Sequence, residues 1–168
     1  MLLRAGKPAH GVAAIRNVAV GDAVTASDGT DYLVEGVATC FAEGQTWKLA
    51  HLVPSGPSVR DRWLYIGPAG LDLGLLEEVE APSTSQTLRV DGQDLPRVAM
   101  GTATVDVESQ AGSARGVLVT VARYASDTAM GIVENWPDGA RHAYVGRSIK
   151  PSDVEVWPAA AVPGPANV

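Results

Sequence analysis

Apolar and polar residues alternate along most of this chain. "DYLVEGVATC" (31–40), "TWKLAHLV" (46–53), "RWLYI" (62–66), "LDLGLLEEV" (71–79), "TLRV" (87–90), "GTATVDVE" (101–108), "GVLVTVARY" (116–124), "MGIVENW" (130–136), "RHAYVG" (141–146) and "DVEVW" (153–157) are short and rich in Val, Leu, Tyr and Trp. Gly, Pro, Asp or Ser bound them. A period of two puts alternate side chains on one face, so these segments read as half-buried antiparallel strands. Asp28-Gly29, Asp91-Gly92 and Asp138-Gly139 signal hairpins, because Gly supplies positive φ and Asp tolerates it. Val12, Ile15 and Val18 fall three apart, which allows one short N-terminal helix ending before Gly21. With so little helix to cover a sheet, the strands must cover each other. The expected class is all-β: an antiparallel sandwich or a strongly bent, partly open barrel.

The barrel or sandwich is expected to be built from two meander-like halves, 18–80 and 86–158, within one domain spanning 1–158. "DGTDYLVEGVA" (28–38) and "DGQDLPRVAMGTA" (91–103) echo each other faintly, and each opens a meander with a hairpin. Between them "VEAPSTSQTL" (79–88) carries Pro, Ser and Thr without apolar period. That stretch is short enough to join two sheets of one domain. Residues 159–168, Ala- and Pro-rich, read as a loose tail.

Composition narrows the function classes. A chain of 168 residues can hide roughly 70% of its unfolded surface in one core. Its single Phe leaves Val, Leu, Ala and four Trp to fill that core. Net charge is −6 with no basic cluster, which argues against nucleic acid and against an anionic membrane surface. "MLLRAGKPAHG" does not read as a signal peptide, since the apolar run ends at Arg4. No stretch reaches the roughly 18 apolar residues that cross a bilayer, so no membrane insertion is expected. Cys40 is the only cysteine; it reads as a small buried hydrophobe in a chain suited to the reducing cytoplasm.

Nothing in the spacing proposes chemistry strongly. There is no Gly-x-Ser-x-Gly, and His10, His51 and His142 have no Ser placed near them by local pattern. One Cys with three scattered His is poor material for zinc, and "DVES" and "LEEVE" lack calcium-loop spacing, so no metal and no cofactor are expected. "GPAGLDLG" has glycines but no Lys and reads as a turn. Glu35 and Glu134 are the most tempting acid pair, since two carboxylates ~5–10 Å apart can hydrolyse glycosides. Yet Glu134 alternates with Ile132 and Trp136, so it faces the core if they do. Burying a lone carboxylate is costly, which favours a structural partner, Arg123 or Arg141, over catalysis.

Trp136, Trp47, Trp63 and Trp157 all fall on alternating strands. They form either an aromatic core, the reading preferred here, or a shallow groove. In the groove reading Trp47, His51, Trp63, Tyr65, Glu134 and Trp136 are the ligand- or partner-binding surface.

The ordered set of motifs resembles a known family. "VGDAVTASDGTDYLVEGVA", Trp47 with Leu52, and "RWLYI" resemble the first half of the bacterial domain-of-unknown-function 4178 family. "LRVDGQDLPRVAMGTATV", Tyr124 and "IVENWPDGARHAYVGRSIKPSDVEVWP" resemble its closing pattern of a Gly-x-Ala strand, a Tyr, a Glu-x-Trp and a Gly before the last strand. The resemblance covers about residues 18–158. It implies an all-β bacterial protein, soluble, from gene neighbourhoods with envelope-stress and polyamine-synthase-like proteins. The insert "GPAGLDLGLL" and the Ala/Pro tail depart from the pattern.

Three functions follow as expectations. The first is a non-enzymatic interaction or scaffold module, binding a protein partner or a second copy through an edge strand. "GVLVTVARY", with few charges, would be such an edge unless its own fold covers it. The second is a small-ligand barrel with an aromatic-lined cavity, and the third a hydrolase using Glu134.

Overall fold

Tight turns set the register of the sheet. In the computed structural model, which describes residues 7–70, 72–82 and 86–159, eleven strands are laid down: β1 (Ala23–Thr25), β2 (Asp31–Ala42), β3 (Gln45–Pro54), β4 (Arg62–Ile66), β5 (Leu73–Val79), β6 (Thr87–Val90), β7 (Gln93–Ser109), β8 (Gly112–Ala125), β9 (Ala129–Asn135), β10 (Arg141–Ile149) and β11 (Glu155–Trp157). One helix, α1 (Val12–Arg16), precedes them. Asp91-Gly92 joins β6 to β7 as a two-residue turn with both φ positive, 48° and 80°. Glu43-Gly44 makes the same turn between β2 and β3, at φ 50° and 76°. Its Glu hid it from the Asp-Gly signal. The other two Asp-Gly pairs lie in longer loops, at 28–29 before β2 and 138–139 before β10.

The strands close on themselves. Following hydrogen-bonded neighbours, the order β2-β3-β4-β5-β10-β9-β8-β7 returns to β2 through antiparallel pairs Gly36↔Ser109 to Phe41↔Thr104. This is a closed eight-stranded antiparallel barrel, which corrects the expected sandwich or partly open barrel within the all-β class. The reason is length. β7 and β8 reach 17 and 14 residues, long enough to bend round and meet β2. The first half of the chain supplies β2–β5, the second β7–β10, and β5·β10 and β2·β7 are the seams.

Alternation sorts every strand into an inside and an outside. Inside, Cys40, Leu49, Leu76, Val105, Val119, Met130 and Tyr144 pack as one cluster. An eight-stranded barrel is just wide enough for side chains to fill, and here they plug the middle. Outside, two layers cover the wall. Ile15 and Val18, with β1 and β11, pack on Leu52, Leu64 and Ile66. The β6–β7 hairpin places Leu88 and Leu95 against Ala122, Val133 and Val145. Gly131 makes room for this seat, because a Cβ there would collide with Leu88 Cδ2. Trp157 lies in β11, its indole N–H donating to Thr25 Oγ1 at 3.2 Å, apart from the barrel interior where the other three Trp pack. No helix among the described residues is long and apolar enough to cross a membrane. The tail assigned to 159–168 lies outside the described residues, save Ala159.

Candidate functional site

The six residues singled out by pattern face the barrel interior but divide between its two ends. His51, Trp63, Glu134 and Trp136 belong to one mouth. His51 and Trp63, cross-strand partners, stack with centroids 4.6 Å apart and planes within 7°. Trp63 leans on Tyr144 at 5.1 Å, and Tyr144 on His142 at 6.3 Å. His51 Nε2 lies 2.8 Å from Asp61 Oδ2, and His142 Nδ1 lies 2.9 Å from Glu78 Oε1.

Glu134 is 4% exposed. Neither expected arginine pairs with it. Arg141 donates to Asn135 Oδ1 and Pro82 O, and Arg123 turns to Tyr65 and Asp72. The Trp136 indole N–H donates to Glu134 Oε1 instead, at 3.3 Å, reaching back from two residues along the chain. Burial raises the Glu134 pKa; the indole hydrogen bond and His142 oppose that shift, while Glu78 adds to it. The same burial, with Glu134 and Glu78 near, raises the Tyr144 hydroxyl. Glu35 sits at a bulge in β2 and is not among the charges acting on Glu134. Among the described residues no hydroxyl is hydrogen-bonded to His51 or His142; Ser109 Oγ donates to Gly112 O in its own turn. No group of three metal-ligating side chains occurs among the described residues.

Trp47 and Tyr65 belong to the opposite mouth. There a cavity of about 180 Å³ is lined by Trp47, Tyr65, Val121, Arg123 and Ile132, with Glu43 on the hairpin tip beside it. Arg123 Nη1 donates to Tyr65 Oη at 2.9 Å and to Asp72 Oδ2 at 3.3 Å. Its Nε is buried and makes no hydrogen bond. Burial raises the Tyr65 pKa, with Arg123 pulling the other way, so the phenol keeps its proton.

This cavity opens through a gap in the barrel wall. β8 pairs with β7 from Arg97 to Ser109, but β2 takes up the other side of β7 only from Thr104 onward, and β6 only over Gln93–Pro96. Residues 98–103 are therefore paired on one side only, and 99–103 line the cavity. Val98 and Met100 are 50% and 57% exposed. On the outer face beside them, Phe41 and Leu118 flank Thr104 across the strands, 42% and 60% exposed. The β8 segment "GVLVTVARY" is covered by β7 on one side from Val117 and by β9 on the other only from Thr120, so 117–119 are also paired on one side. Its neighbour β7 carries the longer one-sided stretch, and that one borders the cavity.

Sequence reasoning missed Arg123 as a cavity residue, although Val119, Val121 and Arg123 alternate inward together. It missed Met100 and Leu118 because nothing local says where β2 stops. The family described as "domain of unknown function (DUF4178)" matches residues 19–151. Searches of the curated proteins and of the solved structures return no significant match. With that match spanning both halves of the barrel and the β7 edge, the chain belongs to the domain of unknown function 4178 family.

Proposed function

We propose that this barrel is a non-catalytic interaction module that takes an extended segment of a partner protein along the free edge of β7. One observation carries the reading: residues 98–103, Val-Ala-Met-Gly-Thr-Ala, form a one-sided edge without a single charged side chain. Proteins usually guard an exposed edge with Lys, Pro, a bulge or a cover. Here Pro96 and the bulge at Val98 lie at one end, and the stretch beyond them is bare. Unpaired N–H and C=O groups supply main-chain hydrogen bonds to an added strand, and side-chain sites give it register. The added strand's outward residues would rest on Met100, Leu118 and Phe41. Its inward ones would enter the cavity. The net charge of −6 favours a protein over nucleic acid. Buried, unpaired Cys40 suits the bacterial cytoplasm as the setting.

A display library of random linear octapeptides tests this. Enriched peptides should carry apolar residues at alternate positions and slow amide exchange over 98–103. Met100→Lys should weaken them about tenfold, or ~1.4 kcal/mol, without lowering the melting temperature. Peptides that leave exchange at 98–103 unchanged, or bind M100K equally well, overturn the proposal. So does a dimer that protects the same amides and dissolves in M100K, since the occupant is then a second copy.

A further inference from the structure

We infer that the cavity beneath the β7 edge recognises a carboxylate, carried on the segment that docks there, through Arg123 and Tyr65. The inference rests on the strand-docking reading and names the chemistry of its partner.

Arg123 is the reason. Cross-strand pairing with Ala99 on one side and Ile132 on the other turns its side chain into the barrel. A guanidinium presents N–H donors as a planar fork that matches the two oxygens of a carboxylate. In Arg123 that fork is half used. Nη1 is shared between Tyr65 and a 3.3 Å contact with Asp72, whose side chain is 50% exposed, while Nε has no acceptor. A solvated ion pair of that length is worth little, whereas a buried, unsatisfied donor is costly. A small rotation of the guanidinium off Asp72 brings Nε and one Nη to a single incoming carboxylate. Tyr65 adds a donor. Its oxygen already accepts from Arg123, so its own hydrogen is left to give.

The rest of the cavity selects what carries the carboxylate. Trp47, Val121 and Ile132 form apolar walls that suit methylenes. A volume of about 180 Å³ fits one acidic side chain or a chain end, and falls short of the roughly 300 Å³ where sites for larger metabolites begin. Opposing charges are near: Asp72 touches Arg123, and Glu43 lines the cavity. With the net charge of −6, they make long-range attraction of an anion weak. Recognition is therefore short-range, and backbone docking of the strand strengthens it by bringing the carboxylate in. Strand and pocket act together.

The test uses an enriched octapeptide in matched forms: Glu or Asp against Gln or Asn at the inward position, and free C-terminal acid against amide. One swap should lower affinity about tenfold. A side-chain effect identifies an internal acidic residue, and a terminal effect identifies a chain end. Arg123→Met should erase the difference, and Tyr65→Phe should reduce it, which keeps the test sound if R123M folds poorly. Acid and amide binding alike in both swaps overturns the carboxylate while leaving strand docking intact. If no octapeptide binds, strand docking fails by itself. Butyrate and butyramide then probe the cavity alone, by NMR shifts at the Arg123 Nε–H: butyrate-selective shifts support the inference, and none overturns it.

Discussion

Leu76→Ala tests whether the barrel is closed and plugged, the condition that separates the cavity mouth from the His-rich mouth. Leu76 is 0% exposed, with Trp63 opposite on β4 and Gly146 opposite on β10. Truncation removes three carbons, about 2.4 kcal/mol of transfer free energy at ~0.8 kcal/mol each. Gly146 has no side chain to swing into the hole and its backbone is pressed against Leu75, so the hole stays largely open and adds about 1–2 kcal/mol. The expected loss is about 3.5–4 kcal/mol, in the upper half of the range for such substitutions. For a chain of this size that lowers Tm by about 8–15 °C. Leu118→Ala is the control. The same chemical change at a side chain 60% exposed should cost no more than about 0.5 kcal/mol. Urea unfolding measures both. A Leu76→Ala loss under about 1 kcal/mol, or one equal to Leu118→Ala, would mean that water already reaches the middle of the barrel.

Two further outcomes follow from buried groups. Because burial raises the Glu134 pKa, the wild type loses stability as pH climbs from the ordinary carboxylate range through that raised value. Glu134→Gln, which keeps an oxygen for the Trp136 indole, should thus gain on wild type with rising pH and level off above it; urea unfolding across a pH series showing the reverse would mean that His142 holds the carboxylate favourably. The Cys40 thiol is 1% exposed and its pKa is pushed up to about 12 by burial, with Glu134 adding. Ellman's reagent should therefore label it only as the protein unfolds, and prompt stoichiometric labelling of native protein would contradict its place inside the barrel.

Much of the fold was legible because strand periodicity is a local property. "RWLYI" and "TLRV" coincide with β4 and β6, and the short helix lies where Val12 and Ile15 suggested it. The extra length of β7 was not legible. The alternating segment begins only at Gly101, yet Gln93 to Pro96 already pair with β6 in a hairpin whose partner strand supplies the missing regularity. β1, three residues long, carries too little pattern to be seen at all. At the site, the inward set of Trp47, His51, Trp63, Tyr65, Glu134 and Trp136 followed from alternation. Their partners did not: Asp61 lies in a loop, and Asp72 within an insert that reads as a turn.

The chain by itself determined the two faces of each strand, the places where it turns, and a composition that must be covered by sheet. Those depend on side-chain period and on backbone freedom at neighbouring residues. Tertiary structure alone decided that the sheet closes, which mouth each inward residue belongs to, and that β7 outruns β2 to leave an edge. These depend on where strands far apart in sequence begin and end against each other. One residue of register would turn every inward side chain outward.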